Sequence, residues 1–99
     1  MLRIVLCNCS PDESDELAEG IVDNDLAACV NTIEGVQSRF EWQGDVCRET
    51  EHTLLIKTSA ARYPDLKDWI EEHHSYDVPE IISLEAADVL EAYEEWVLE

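Results

Sequence analysis

An α+β fold built on one antiparallel sheet is predicted by three observations: four strand-like runs, two amphipathic helical stretches set between them, and a turn signal joining the second and third strands. The runs are Leu2–Cys9, Ala28–Trp42, Val46–Thr58 and Glu80–Ala86. The helical stretches run from Pro11 to about Leu26 and from Ser59 to His74, and a short further helix near Leu90–Val97 closes the chain. The order is β-α-β-β-α-β with a terminal helix, the split βαβ or ferredoxin-like arrangement, which places both main helices on one face of the sheet.

Leu2–Cys9 has the length and β-branched content of a buried strand. Ser10 can cap the first helix, Pro11 suits its first position, and Glu13 stands at the capping-box spacing from Ser10. Leu17, Ile21 and Val22 then recur on one face, with acids on the other. From Ala28 the pattern turns strand-like, and Gly35 predicts a bulge or bend inside that strand. Gln43-Gly44-Asp45 reads as a hairpin turn, so residues 28–58 form an extended hairpin. The second helix carries Tyr63, Leu66, Trp69, Ile70 and His73 at helical spacing, with Pro64 tolerable only in the first turn. Asp88 and Glu91 make a second capping-type pair ahead of Leu90, Tyr93, Trp96 and Val97.

Thr53-Leu54-Leu55-Ile56-Lys57, Ile81-Ile82 and Ile4-Val5-Leu6 are apolar on both sides of the strand. A sheet with helices on one face needs no second apolar face unless something covers it. No further element of the chain is expected to do so, and self-association is the economical explanation.

At 99 residues the chain is expected to be a single domain, residues 1–99, with an apolar fraction of 45% that supports folding. Twenty-four acidic residues against six basic ones give a formal net charge of −18. Arg3, Arg39, Arg48, Lys57, Arg62 and Lys67 are scattered along the sequence, so neither nucleic acid nor an anionic membrane is an expected partner. The acids are spread over every helix face, which favours adaptation to concentrated salt over a carboxylate-rich cation sponge. Four cysteines, Cys7, Cys9, Cys29 and Cys47, lie in apolar runs of a chain without the loop-rich composition of a stapled secreted domain. The first apolar run ends by Asn8, too short for a secretory leader, and no segment approaches the roughly 20 apolar residues that cross a bilayer. A cytoplasmic protein is expected.

Chemistry concentrates in His73-His74-Ser75-Tyr76-Asp77-Val78-Pro79-Glu80, which joins a helix to a strand. Two imidazoles, a phenol and a carboxylate stand there beside a proline. Cys7 and Cys9 share one face of the first strand, and Cys7 meets His73 if the second helix ends over that strand. A thiolate, an imidazole and a carboxylate together suit copper or zinc and not magnesium. The same residues also have plain structural readings. Free cysteines are usually small buried hydrophobes, His73 continues an apolar stripe, and His74, Tyr76 and Glu80 suit a loop held by hydrogen bonds at a subunit junction. Lys57 with Glu51 reads as an ion pair. No nucleophile and base at a recognisable spacing point to an enzyme.

Leu26-Ala27-Ala28-Cys29-Val30-Asn31, Trp42 with Gly44, Glu51 with Leu54, Lys57 and Thr58, His74 with Tyr76, Pro79 and Glu80, and Tyr93 with Trp96 follow one another over nearly the whole chain. This pattern resembles the CutA family of divalent-cation tolerance proteins. The resemblance implies a ferredoxin-like fold related to the PII signalling proteins, a tight homotrimer, no enzymatic activity, and divalent cations, copper among them, as ligands. Carried over by position, it implies Cys7, His73 and Glu80 as metal ligands. It leaves open a PII-like signalling or scaffold trimer that binds a small anion or a protein at the subunit cleft. The chain departs from the family in having Ser75 where the loop usually has a second proline, Phe40 where Tyr is common, and Asp45 where a basic residue often follows the glycine.

Overall fold

Strand β1 (Leu2–Cys9) occupies an inner position of the sheet because its neighbours in sequence lead away from it and return on both edges. The computed structural model describes residues 1–99, with α1 at Ser14–Asp23, β2 at Cys29–Trp42, β3 at Asp45–Ser59, α2 at Tyr63–His73, β4 at Ile82–Glu85 and α3 at Glu91–Leu98. The strands lie in the order β2-β3-β1-β4 and every neighbouring pair is antiparallel. Each helical crossover therefore skips one strand, as the ferredoxin-like arrangement requires.

Alternation along β1 and β3 sends Val5, Cys7, Cys9, Leu54 and Ile56 to one face, where Leu17 and Ile21 of α1 and Leu66 and Ile70 of α2 cover them. All nine are buried. The two helices approach closely at Gly20, where a Cβ would lie 2.6 Å from the Trp69 ring. The opposite face carries Ile4, Leu6, Leu55, Ile82 and Leu84 in register, and Ile82 and Leu84 are exposed. That face was expected to be covered by no further element of the chain, but α3 lies against β1 and β3, and Val97 and Leu2 are buried outside the main core.

Several boundaries differ for identifiable reasons. Pro11–Glu13 form a turn and α1 begins at Ser14. The expected contact of Ser10 with Glu13 is present at 3.2 Å, but Glu13 is also claimed by Ser75, which holds its turn outside the helix. The helix ends at Asp23, not Leu26, because Asp25 takes a left-handed φ of 56°. The Leu26 and Asp25 N–H groups then donate back to Ile21 and Val22, a Schellman ending. Helix α2 starts at Tyr63 with Pro64 in its first turn, and Ser59 accepts from the Arg62 N–H ahead of it. Asp88 caps nothing: Leu90 stands at the start of α3, and its carbonyl accepts from Tyr93 and Glu94. Strand β4 is confined to the four residues that pair with β1.

The hairpin has the predicted irregularity, a register shift between Ile33 and Val36 with Gly35 at φ 72°. Its turn puts Gln43 and Gly44 at positive φ, as a two-residue connection in a right-twisted ribbon demands. From Asp45 to Glu51, β3 pairs with β2 alone, so the hairpin extends past the helix-covered body. The molecule is correspondingly elongated, 45 × 25 × 21 Å.

Candidate functional site

The segment between α2 and β4 folds across the end of β1, and it is His74 that anchors it. His74 is the residue at which α2 stops; its backbone becomes extended and its ring turns inwards. Nε2 donates to the Asn8 carbonyl at 2.9 Å, and Nδ1 accepts the Tyr76 N–H at 3.1 Å. This pair of bonds assigns the proton to Nε2. Glu13 Oε1 lies 3.9 Å from Nδ1, beyond a hydrogen bond. Instead, Glu13 accepts from the Ser75 N–H and hydroxyl. Burial works to raise the Glu13 pKa, but the two bonds from Ser75, with the neighbouring His74 imidazole and the Ser10 N–H, together outweigh it and hold the carboxyl below its ordinary value.

On the other side of the loop, Tyr76 donates its hydroxyl to Glu51 at 2.8 Å. Glu51 is buried although it points away from the main core, on the face of β3 that also carries Thr53 and Leu55. Burial, the bond to Glu51 and its charge drive the phenol pKa well above the ordinary value. Glu80 is raised as well, first by desolvation and then by Glu51. The Cys7 thiol, buried in the core, is pushed up to about 12 by desolvation, with Cys9, Glu80, Glu13 and Glu51 adding to it. Cys9 follows to about 11. Both thiols remain protonated at neutral pH, and all four cysteines are free.

Glu51, Tyr76 and Glu80 border a cavity of about 780 Å³ between the inner face of the hairpin and the Tyr76 loop. Phe40 and Trp42 supply its aromatic wall, and Glu49, Glu51, Asp77 and Glu80 supply carboxylates against the single guanidinium of Arg39.

Of the three residues suggested as metal ligands, Glu80 lines the cavity and Cys7 is buried in the core, where the Glu80 charge adds to the rise in its pKa. His73 does not join them. It is exposed, stacked on Trp69 with ring centroids 4.1 Å apart, and its Nδ1 bonds the Trp69 carbonyl at 2.8 Å. Within one chain no group of three or more His, Cys, Asp or Glu side chains is arranged to hold a metal ion. The helix reaches β1 one residue later than the sequence suggested, so His74 and not His73 makes the contact. Lys57 and Glu51 are not an ion pair either: six residues of strand separate them by about 20 Å. Lys57 bonds Asn31, and Glu51 is taken by Tyr76.

Glu13 is the functional-loop residue that sequence reasoning missed, because its capping spacing explained it locally.

The architecture has counterparts among known proteins. The model of the CutA1 divalent ion tolerance protein family matches residues 3–99. A divalent-cation tolerance protein CutA of Thermus thermophilus is 37% identical over 100 residues, covering 100% of this chain and 97% of that protein. Its solved structure superposes with a TM-score of 0.94 at 36% identity, covering 99% and 96% of the two chains. A chloroplastic protein CutA of Arabidopsis thaliana is 40% identical over 83% of this chain, which spans only 45% of that longer protein. A structure described as the PII-like protein CutA of Nostoc sp. has a TM-score of 0.93 at 35% identity, covering 97% and 93%. This chain belongs to the CutA1 divalent ion tolerance protein family.

Proposed function

We propose that the protein is a non-catalytic homotrimer that binds or responds to divalent cations, copper among them. The observation that carries this reading is the charge of the cavity beside the Tyr76 loop: four carboxylates face one guanidinium, so a cation is favoured there and a small anion of the PII-like kind is not. The proposed donors Cys7 and Glu80, a thiol and a carboxylate, fit a soft or borderline ion better than magnesium; Glu80 lines the cavity, whereas Cys7 lies in the core on the other face of the sheet. Burial keeps the Cys7 thiol protonated, so metal capture there must displace a proton and open the packing around the strand. His73 joins the same ion only from a second subunit. The apolar row Ile4, Leu6, Leu55, Ile82 and Leu84, left partly uncovered by α3, supports self-association.

Isothermal titration with copper on the wild type, Cys7→Ser, His73→Ala and Glu80→Gln tests the assignment. A loss of about tenfold or more in affinity is expected for a true ligand, and unchanged affinity in all three variants overturns the set. The acid excess belongs to a surface adapted to concentrated salt. Thermal melting is expected to rise steeply with KCl as self-repulsion is screened, and a flat response removes that reading. Four free cysteines support a reducing compartment such as the cytoplasm, and no helix is long and apolar enough to cross a membrane.

A further inference from the structure

Register along the hairpin lays out the wall of the cavity beside the Tyr76 loop. Alternation turns Phe40 and Trp42 of β2 to one face of the ribbon, and on the same face Glu49 and Glu51 follow at every second residue of β3 towards the body of the molecule. Two residues of strand span about 7 Å, so these carboxylates form a row at that spacing, with the aromatic rings beyond them towards the hairpin tip. Asp77 and Glu80 approach from the loop side. The hairpin wall is therefore aromatic at one end and anionic at the other.

One of these carboxylates is left half-satisfied. Glu51 is only 5% exposed, and Tyr76 donates to its Oε2, but Oε1 receives no hydrogen bond and no cationic side chain pairs with the charge. Burying a carboxylate in this state is costly unless a cation meets it. Arg39, the single positive group of the lining, makes no ion pair with it. The size and wall of the cavity then say which cation suits. About 780 Å³ lies within the range of roughly 300–1,000 Å³ typical of pockets for small organic molecules. A bare metal ion gathers its donors within about 2.0–2.6 Å and makes no use of an aromatic wall. An alkylammonium uses every part of this one: its N–H groups complete the carboxylates, and the rings of Phe40 and Trp42 attract its charge and cover its methylenes. The excess of carboxylates over one guanidinium calls for more than a single positive charge.

We propose that the cavity binds an aliphatic diamine or polyamine, with one ammonium group on the free oxygen of Glu51, a second at Glu49, and further chain against Phe40 and Trp42. Asp77 and Glu80 add their charge from the loop, and Arg39 works against the ligand. The inference rests on the reading of this cavity as a cation site and names the class of cation that its lining suits, an organic one carrying two or more charges.

The test is calorimetric titration of the full chain with putrescine, with propylammonium and with copper, at one fixed KCl concentration and with circular dichroism as the check on folding. Glu51→Gln keeps an acceptor for Tyr76 and removes the charge, and Glu49→Gln alters an exposed residue. Each is expected to weaken putrescine about tenfold or more. Trp42→Leu is expected to weaken it about threefold. Arg39→Gln is expected to tighten it, an effect of a sign that damage to the fold would not give. Glu19→Gln removes the same single charge from an exposed position on α1 and is expected to stay within about twofold of wild type. Propylammonium, with one charge, is expected to bind the wild type about tenfold or more weakly than putrescine does. Equal losses in Glu51→Gln and Glu19→Gln reduce the effect to general attraction by an acidic chain and overturn the proposal, as does equal binding of the two amines. A wild type that takes up copper, loses it on Glu80→Gln and ignores putrescine sinks the diamine alone. A wild type that binds neither sinks the cation reading of the cavity as well.

Discussion

The two halves of β3 run the same backbone into opposite surroundings. From Thr53 to Lys57 the strand is paired on both edges and its alternate side chains are sealed in the helix-covered core; from Asp45 to Glu51 it is paired on one edge. Leu54 and Ile56 are fully buried, whereas Val46 is almost fully exposed. Fold stability therefore resides in the inner half, and the outer half is free to be shaped by what it meets outside the chain. The sharpest way to break this contrast is a matched pair of truncations. Leu54→Ala removes packing that no neighbour can refill and is expected to cost about 2–5 kcal/mol. Val46→Ala is expected to change stability by no more than about 0.5 kcal/mol. Urea unfolding followed by far-ultraviolet circular dichroism measures both. Similar losses in the two variants would mean that the hairpin tip is part of the core.

The same contrast recurs on a finer scale in the adjacent histidines. His74 is inside, with both ring nitrogens engaged, and His73 is outside on the Trp69 ring. His74→Phe keeps a buried aromatic ring but removes the imidazole bonds to the Asn8 carbonyl and the Tyr76 N–H, so a loss of about 1–3 kcal/mol is expected. His73→Ala is expected to lose less than half of that, its exposed stack being a minor contribution. If the two substitutions cost the same, the loop is not held by His74.

Much of this was legible in the chain. Strand alternation, the Gly44 turn and the Gly35 irregularity are local consequences of backbone preference, and they emerged at the expected residues. The order of elements then left few topologies, and the ferredoxin-like sheet is the one observed. The site was less legible because it depends on long-range partners. Glu13 looked like a cap until Ser75, sixty-two residues away, took its carboxylate. Glu51 looked like an ion-pair partner for Lys57, yet it is buried by Tyr76. Whether His73 or His74 faces the strand turns on where α2 ends, and a difference of one residue at a helix end rotates a side chain by about 100°. Periodicity fixes such a boundary poorly.

The smallest effect expected of the loop is also the most diagnostic of its chemistry. Glu13 and Glu80 are both carboxylates at the end of β1, and the fold shifts them in opposite directions. Glu13 is held below its ordinary value, so its contribution to stability is present at neutral pH and is lost as pH falls through the folded value. Glu80 is raised, first by burial and then by the Glu51 charge. The folded state therefore binds the Glu80 proton more tightly than the unfolded chain does, and stability falls as pH rises from the ordinary carboxyl range through the raised folded value. Above that window the penalty is fully present. Glu80→Gln removes it, so the variant is expected to melt slightly above wild type at pH 7, with the difference closing as pH falls through the raised folded value and gone below about 4.3. Thermal scans of both proteins across this range check the sign. A variant less stable than wild type at pH 7 would show that Glu80 is a structural acceptor in the loop. A more stable variant that binds copper less well would show the loop keeping an unfavourable charge for the ion it receives.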